Sequence, residues 1–294
     1  MTDAPVLFRE TLQSIYGPLD WLPEPDGDIH RFHVPGDKSG SVNGWYVLYL
    51  DGIASGAFGS WKTGGAMSWC SREPLDTREA EQIRQRIDQA RRQREAGQQR
   101  RQQAAAKYAQ RLWGTSRPAD PEHPYLSKKR VHANNLRQID DVLLVPMYAD
   151  GALVNIQRIS ADGEKRFLFG GQVTGAYYVL GDVSRSQKVY IAEGLATALT
   201  LHKLSGSPVV AAMNSGNLAP VALALKAKYS AHEIIIAGDD DRMTEGNPGR
   251  RFAVGAAIKA MVKVCFPIWP EEAPPELTDF NDLVNWRADH EACQ

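Results

Sequence analysis

The chain has 294 residues, a length typical of about two domains, and its hydrophobic (43%) and charged (23%) fractions are those of a globular protein. Its formal net charge of −1 indicates no class of partner, and no apolar run approaches the ~18 residues of a membrane span. Cys70, Cys265 and Cys293 are too scattered for a disulfide framework, and the N-terminus lacks the features of a signal peptide. We therefore expect a cytoplasmic protein without a membrane segment.

Residues 1–75 are predicted to form an N-terminal β-rich module. The stretch beginning DIHRFHVPGD alternates aromatic and polar residues between glycine-rich turns, as antiparallel strands do. His30, His33 and Cys70 lack the second close pair of ligands that a zinc ribbon needs, so we predict a zinc-free module. Its aromatic residues have two open interpretations, core packing or stacking on a single-stranded template. The residues concerned are Trp45, Tyr46 and Trp61, with Lys38 and Lys62 near them in sequence.

Residues 76–118 are predicted to form a basic helical linker. The segment is rich in Ala, Gln, Glu and Arg, which favour helices, and residues 76–117 contain eleven Lys or Arg against five Asp or Glu, a net charge of +6. Gly97 is expected to interrupt the helix. Two interpretations remain open, a solvated linker or an arm that contacts nucleic acid.

Residues 119–182 are predicted to contain a small antiparallel sheet. The stretch DVLLVPMYADGALVNIQRISADGEKRFLFGG divides into three short strands, with turns at its two Asp-Gly dipeptides. Three basic residues, Arg158, Lys165 and Arg166, lie in or beside these strands. A charge run of this kind is usually a solvated face, so it indicates no function by itself.

Residues 183–294 change to alternating strands and helices. KVYIAEG, PVVAAM, HEIIIAGDDD and VCFPIW read as strands, and LATALTLHKLSG, LAPVALALKAKY and GRRFAVGAAIKAMV read as helices. Repeated β-α units with continuous apolar strands are typical of a parallel sheet covered by helices on both faces. In such sheets the ligand site lies beyond the carboxyl ends of the strands.

Carboxylates follow two of these strands directly. Glu193 ends the first strand, and Asp239 and Asp241 end the third, so the three side chains are expected to converge. Asp240, between them, should point elsewhere into solvent. Near the end of the chain, LTDFNDLV adds Asp279 and Asp282. Carboxylates without His or Cys are the ligands that hard Mg²⁺ or Mn²⁺ prefers.

These segments together resemble a known family. An EG dipeptide closing one strand and D-x-D closing a later one is similar to the Toprim domain. HPYLSKKRV, the three-strand stretch, YIAEGLATALTL, IIIAGDDDRMTEGNPG and TDFNDL, in that order, resemble Toprim primases of phages and conjugative plasmids. The resemblance covers residues 123–285 well and the N-terminal region loosely.

The resemblance implies an α/β fold: a Toprim domain with a parallel four-stranded sheet flanked by helices, preceded by a small mixed α+β subdomain and the N-terminal antiparallel β module. Residues 119–182 would then be the basic N-terminal part of a primase catalytic core. Glu193 is implied as the catalytic acid and as a metal ligand. The implied roles of the other site residues are metal binding for Asp239, Asp241, Asp279 and Asp282, and contact with nucleotide and template for Arg158, Lys165 and Arg166.

The implied activity is DNA primase, which joins nucleotides into short primers on a template with Mg²⁺ or Mn²⁺. The expected partners are single-stranded DNA and nucleoside triphosphates, with a replicative helicase as a further candidate, in the replication of a phage, plasmid or other mobile element. Two alternatives stay open: a Toprim nuclease, which would use the same carboxylates to cleave DNA, and a non-catalytic DNA-binding Toprim protein. The basic strands before the domain favour a polymerase, and the presence of Glu193 favours an enzyme.

Overall fold

The computed structural model describes residues 3–291. The chain divides into two compact units, one up to Arg100 and one from Arg101 onward. Within the described residues, no helix is both long and apolar enough to cross a membrane. Cys70 and Cys265 are free thiols, and Cys293 lies outside the described residues.

The first unit contains a four-stranded antiparallel sheet in the order β1-β2-β3-β4, as expected for an N-terminal β module. It also contains an N-terminal helix that is not part of the prediction. The elements are α1 (Ala4–Tyr16), β1 (His30–Phe32), β2 (Gly44–Tyr49), β3 (Ser55–Ser60) and β4 (Gly64–Cys70). Pro5 in the first turn of α1 has the φ that a helix start requires.

Aromatic residues form the core of this unit. Phe8 of α1 packs edge-on against Tyr46 and Phe58 of the sheet. Trp45, on the other face, packs with Val47 of its own strand. Trp45 and Tyr46 are each only 3% exposed, so core packing, and not stacking on nucleic acid, accounts for these two aromatic side chains.

The basic segment forms one continuous helix, α2 (Thr77–Thr115), and the boundary between the two units falls within it. Gly97 does not interrupt it, because a single glycine costs only about 1 kcal/mol in a helix and the helix is anchored on both sides of that position. Ala90 packs on Trp45 in the first unit. Ala109 packs on Leu144 and Ile156 in the second.

The second unit begins with a five-stranded antiparallel sheet in the order β5-β6-β7-β8-β9. Its elements are β5 (Arg117–Pro118), α3 (Pro124–Lys129), β6 (Arg137–Ile139), β7 (Val142–Ala149), β8 (Ala152–Ile159) and β9 (Lys165–Phe167). The last three are the strands predicted from sequence. The turn between β7 and β8 is the predicted Asp150-Gly151 pair, and both residues have the positive φ that a two-residue hairpin demands.

This sheet has two faces with different neighbours. On the inner face, Leu143 and Ile159 share a core cluster with Leu195 of the following α/β region. On the outer face, Leu144, Ile156 and Leu168 pack against Ala109 of α2. Because side chains alternate along a strand, the face of each β9 residue follows from its pairing partner.

The rest of the second unit is the predicted α/β fold. Its elements are β10 (Tyr178–Leu180), β11 (Lys188–Ala192), α4 (Leu195–Ser205), β12 (Val209–Ala211), α5 (Leu218–Lys228), β13 (Glu233–Ala237), α6 (Pro248–Ala260), β14 (Lys263–Cys265) and α7 (Phe280–Glu291). Two 3₁₀ turns cover Val183–Arg185 and Ser215–Asn217. The strand order is β10-β12-β11-β13-β14. Strands β12, β11, β13 and β14 run parallel, which confirms the parallel sheet.

Helices cover both faces of this sheet. Ala192 and Ala211 face α4 in one core cluster, whereas Ile191 and Ile236 face α5 and α6 in the other. The sheet differs from the prediction by a fifth strand, β10, which pairs antiparallel with β12 at the edge.

Candidate metal and nucleotide site

The carboxyl ends of the two central strands define the candidate site. Ala192 of β11 lies directly opposite Ala237 of β13. Glu193 therefore leaves the sheet beside the loop that carries Asp239 and Asp241. The strand-end prediction placed these three residues together, and their electrostatic interactions in the structure agree with that proximity.

Asp239 is the most strongly perturbed carboxylate of the cluster. Burial, with Glu193 and Asp279 adding negative charge, raises its pKa to about 8. Its Oδ1 atom is buried and has no hydrogen-bond partner. A buried carboxylate oxygen without a partner carries a large desolvation cost, which a bound cation would offset.

Glu193 has a similar but milder environment. Burial raises its pKa, and the charge of Asp241 raises it further. Lys165 and the backbone N–H of Ser215 act in the opposite direction, because both favour the charged carboxylate. Ser215 opens the 3₁₀ turn after β12, so a neighbouring strand end supplies this N–H.

Asp241 is held at the start of α6. Its Oδ2 accepts a hydrogen bond from the backbone N–H of Gly249 at 2.8 Å, and its own N–H donates to Asn247 Oδ1 at 2.9 Å. Strand β13 ends at Ala237, so Asp239 and Asp241 are positioned by a loop and not by strand alternation. A carboxylate at a helix N-terminus is stabilised by the helix dipole.

Asp240 differs from the prediction that it would be solvated, because it is only 5% exposed. Its carboxylate accepts hydrogen bonds from Arg250 Nε at 3.0 Å, Asn247 Nδ2 at 2.7 Å and Trp269 Nε1 at 3.1 Å. Burial alone would raise its pKa, but these hydrogen bonds outweigh burial and lower it. Asp240 therefore points away from Asp239, as expected, but into a buried polar network that fixes the loop.

Asp279 and Asp282 cap the last helix. Asp279 Oδ1 accepts a hydrogen bond from the backbone N–H of Asp282 at 2.8 Å, as a capping side chain does, and Asp282 Oδ2 accepts one from the backbone N–H of Thr278 at 3.2 Å. Burial raises the pKa of Asp279. Asp282 also pairs with Lys129 Nζ at 3.2 Å. Asp279 is thus the more available of the two for the cluster.

Helix α7 is attached to α3 by amide side chains. Asn281, 1% exposed, donates to the carbonyl of Lys129 at 2.7 Å and to Thr200 Oγ1 at 2.8 Å. Asn285 donates to the same carbonyl at 3.2 Å. These residues hold the Asp279 turn against α3 and α4, and sequence reasoning missed them because their partners are far away in the chain.

The three basic residues are divided between the two faces of the β5–β9 sheet. Lys165 lies opposite Ile159 and so belongs to the inner face. Much of its side chain is exposed, but desolvation at its ammonium lowers its pKa, as does Lys129, while Asp279, Asp239 and Glu193 raise it. Arg158 and Arg166 lie opposite each other on the outer face, away from the carboxylates.

The donor set fits a hard divalent cation. It consists of carboxylate oxygens alone, and one of them, Asp239 Oδ1, is buried without a partner. In residues 3–291, only Glu24, Asp26 and His30 bring three ligand atoms within 4.8 Å of one another. That trio is in the first unit, where His30 Nε2 is engaged by Asp26 at 2.9 Å. The carboxylates of the site are spaced more widely, as repelling charges would be.

Gly249→Ala should damage this site. A Cβ at Gly249 would lie 2.8 Å from Asp241 Oδ2 and 2.9 Å from the carbonyl oxygen of Asp239, so both aspartates would have to move. We expect about 1–3 kcal/mol of destabilisation from overpacking, together with weaker binding of Mg²⁺ measured by calorimetry. The matched control is Gly255→Ala in the same helix, where a Cβ meets nothing within 4 Å. The control should gain stability. If the two variants had equal stability and bound Mg²⁺ equally well, the close approach of Gly249 to Asp239 and Asp241 would be contradicted.

Comparisons with known proteins place the chain among similar sequences. A Toprim domain profile matches residues 188–288. Two curated Escherichia coli proteins, both named DNA primase TraC, are 36% identical over 298 and 273 residues. The alignments cover 91% and 89% of this chain but only 27% and 19% of those relatives, so the chain spans about a quarter of their length or less.

Solved structures also include similar chains. A structure of the DnaG primase catalytic domain bound to single-stranded DNA matches 66% of this chain and 77% of that chain, with a TM-score of 0.44 and 14% identity. The Escherichia coli primase catalytic core matches 53% of this chain and 52% of that chain, with a TM-score of 0.35 and 14% identity.

Proposed function

The chain contains a Toprim domain and is a relative of the plasmid-type DNA primase TraC, and on that premise we propose that it synthesises short primers on single-stranded DNA by metal-dependent nucleotidyl transfer. The primers would serve replication of a plasmid or other mobile element. The observation that carries the proposal is the cluster of Glu193, Asp239, Asp241 and Asp279, with the Lys165 ammonium beside it.

Each part of this cluster would have a role in the chemistry. Primer extension joins a 3′-hydroxyl to the α-phosphate of the next nucleoside triphosphate and releases pyrophosphate. Asp239, Asp241 and Asp279 would hold Mg²⁺ or Mn²⁺, which lowers the pKa of the hydroxyl and neutralises the charge that develops on the phosphate. When no cation is bound, the negative charges of these carboxylates repel one another, which is consistent with the raised pKa of Asp239.

Glu193 and Lys165 have separate proposed roles. The pKa of Glu193 is raised by burial, so its carboxyl exchanges a proton more readily near neutral pH, as a general acid–base group requires. Lys165 presents a positive charge to the same carboxylate cluster and would hold the triphosphate. Asp282 is already paired with Lys129, so we assign it a supporting role at the helix cap.

Primer synthesis is tested directly with the whole chain. We would incubate it with single-stranded DNA, labelled ribo- or deoxynucleoside triphosphates and Mg²⁺ or Mn²⁺, and separate the products on a denaturing gel. Short labelled products that need both template and metal are expected. A Glu193→Gln preparation purified in the same way controls for contaminating polymerases. Shortening of the template without synthesis would instead identify a nuclease, and binding without either reaction a non-catalytic protein.

Lys165→Ala and Arg166→Ala should affect synthesis very differently, although the residues are adjacent. Lys165 faces the carboxylates, so its loss should cost at least ~2 kcal/mol, about 30-fold in rate. Arg166 forms an exposed ion pair with Glu164 at 2.7 Å, and such a pair contributes about 0–1 kcal/mol. Steady-state synthesis at saturating template, with metal affinity measured separately, compares them. Equal losses in the two variants would contradict the assignment of Lys165 to the carboxylate cluster.

A further inference from the structure

Two separate irregular segments lead to the aspartates of the site. Residues 238–247, here called the aspartate loop, follow β13 and carry Asp239 and Asp241. Residues 266–278, here called the connecting segment, follow β14 and lead directly into Asp279. Neither segment contains a helix or a strand. The position of one half of the cluster relative to the other therefore depends on contacts between the two segments.

Arg242 of the aspartate loop makes such contacts with its side chain. Its Nη2 donates hydrogen bonds to the carbonyl of Pro274 at 2.6 Å and to that of Leu277 at 3.3 Å. Its Cζ lies over the ring of Trp269, 4.4 Å from the ring centroid. All three partners belong to the connecting segment, so one side chain holds that segment at three residues.

Asp240 reinforces the same junction. Its backbone N–H donates to the carbonyl of Thr278 at 2.7 Å, immediately before Asp279. Its carboxylate accepts a hydrogen bond from Trp269 Nε1 at 3.1 Å. Trp269 is thus held at its ring nitrogen by Asp240 and on its ring face by Arg242. The two segments are joined by a connected set of contacts and not by a single hydrogen bond.

Arg242 also has two properties that disfavour an arginine at this position. Its Nε is buried and has no hydrogen-bond partner among residues 3–291, and such a donor carries a desolvation cost. Its charge follows Asp241 directly in the chain, where it opposes a cation in the cluster. An apolar side chain of similar length would avoid both effects. What an arginine adds is a planar group that stacks on a ring and donates from its edge at the same time.

We propose that Arg242 is a positioning residue of the metal site, which fixes the aspartate loop against the connecting segment so that Asp239 and Asp241 stay beside Asp279. Residues outside the ligand set often orient metal ligands in this way, and their loss typically weakens metal binding about 10–100-fold. The proposal rests on the proposed function in taking these carboxylates as metal ligands. It adds a residue whose side chain acts on the site through the backbone of another segment.

Calorimetric titration of the full chain with Mn²⁺, without nucleotide or DNA, tests this role. Arg242→Met and Arg242→Lys should each weaken Mn²⁺ binding about tenfold or more. Loss of the positive charge by itself would tighten the binding of a cation, so weaker binding by Arg242→Met cannot be a charge effect. Lys keeps the charge but lacks the planar group that stacks and donates together. Thermal unfolding shows whether each variant is folded, and Arg242→Lys decides the question if Arg242→Met does not fold.

The same titration in an Asp279→Asn chain separates positioning from a general disturbance of the fold. If Arg242 acts by holding the aspartate loop beside Asp279, Arg242→Met should weaken Mn²⁺ binding less than about twofold in that chain, whereas independent effects would add another loss of about tenfold. The matched control is Arg251→Met, which removes an exposed cation whose Cζ lies over Phe252 of its own helix. It should bind Mn²⁺ at least as tightly as the unmodified chain.

Three results of these titrations would overturn the proposal. The first is unchanged Mn²⁺ affinity in the folded Arg242 variants. The second is a loss in the Asp279→Asn chain as large as in the unmodified chain. The third is an equal loss in Arg251→Met.

The outcome is separable from that of the proposed function. A chain that makes no primers but shows the expected changes in Mn²⁺ affinity would support the role of Arg242 and reject primer synthesis alone. A chain that binds no Mn²⁺ would reject the metal site, and urea unfolding in EDTA at alkaline pH then decides whether Arg242 holds the junction closed.

In that measurement Asp279→Asn should raise the urea midpoint of the otherwise unmodified chain, because burial and the charge of Asp282 disfavour the Asp279 carboxylate. It should not raise the midpoint of Arg242→Met, in which the opened junction admits water to Asp279. The same shift in both chains, or no shift in either, would overturn the proposal.

Discussion

Glu193→Gln should abolish primer synthesis while the chain stays folded. The substitution keeps the size of the side chain and an oxygen for the Ser215 N–H, but it removes the negative charge and the exchangeable proton. Loss of a general acid–base group typically costs about 10²–10⁴ in rate. We therefore expect at least a ~100-fold drop in steady-state synthesis. Removing a partly buried charge that Asp241 repels should leave thermal stability unchanged or raised in metal-free buffer.

The matched control is Glu233→Gln, at the start of strand β13. Glu233 lies at the opposite end of the same sheet and forms an exposed ion pair with Lys263 at 2.5 Å. This control removes one carboxylate from the same sheet and should retain nearly full synthesis. Near-normal activity of a folded Glu193→Gln variant would contradict the catalytic role proposed for Glu193.

Asp239→Asn should raise stability in metal-free buffer at alkaline pH. The pKa of Asp239 is about 8 in the folded chain, against an ordinary value near 4 when unfolded. The protonated group therefore favours folding below about pH 4, and that contribution is lost as pH rises through 8. Asn has no such charge, so the variant should be at least ~2 kcal/mol more stable than the original chain above pH 8. With added Mg²⁺ the original chain should instead be more stable than the variant, because only the original chain keeps all the carboxylates that would bind the ion.

Asp240→Asn, one residue along, should have the opposite effect. The hydrogen bonds from Arg250, Asn247 and Trp269 outweigh burial and lower the pKa of Asp240. Its stabilising contribution is therefore present above its unfolded pKa and is lost as pH falls through the folded value. Replacement should destabilise the chain by about 1–3 kcal/mol at neutral pH. The stability of both variants is measured by thermal unfolding at several pH values, with EDTA or with Mg²⁺. If both substitutions changed the stability in the same direction, the different environments assigned to Asp239 and Asp240 would be wrong.

The centre of the site was predictable because ligand sites of parallel sheets lie beyond the carboxyl ends of the strands. Apolar runs ending in Glu193 and Asp239 are local patterns, and parallel topology brings their ends to one edge. Asp240 could not be assigned in this way, because Trp269 and Arg250, which bury it, come from later segments. Strand β13 also stops at Ala237, so the alternation argument does not extend to the aspartates.

The basic residues show a second limit. Arg158, Lys165 and Arg166 read as one group in the sequence, but the β8–β9 register divides them. A shift of one residue would exchange their faces, and neither hairpin turn nor composition determines the register of a three-residue strand. The edge strand β10 and helix α1 escaped prediction for related reasons, since their existence depends on packing against distant partners.

The attachment of α7 to α3 has a consequence for the order of folding. The hydrogen bond from Asn281 to the Lys129 carbonyl closes a loop of 152 residues. Contacts of such long sequence separation form late, because the entropy of closing the loop is lost before the contact contributes. The turn that carries Asp279 is held in place by this attachment. We therefore expect the nascent chain to assemble its sheet first and to bring its full negative charge together only in the last step, when the rest of the unit is already rigid enough to withstand the repulsion.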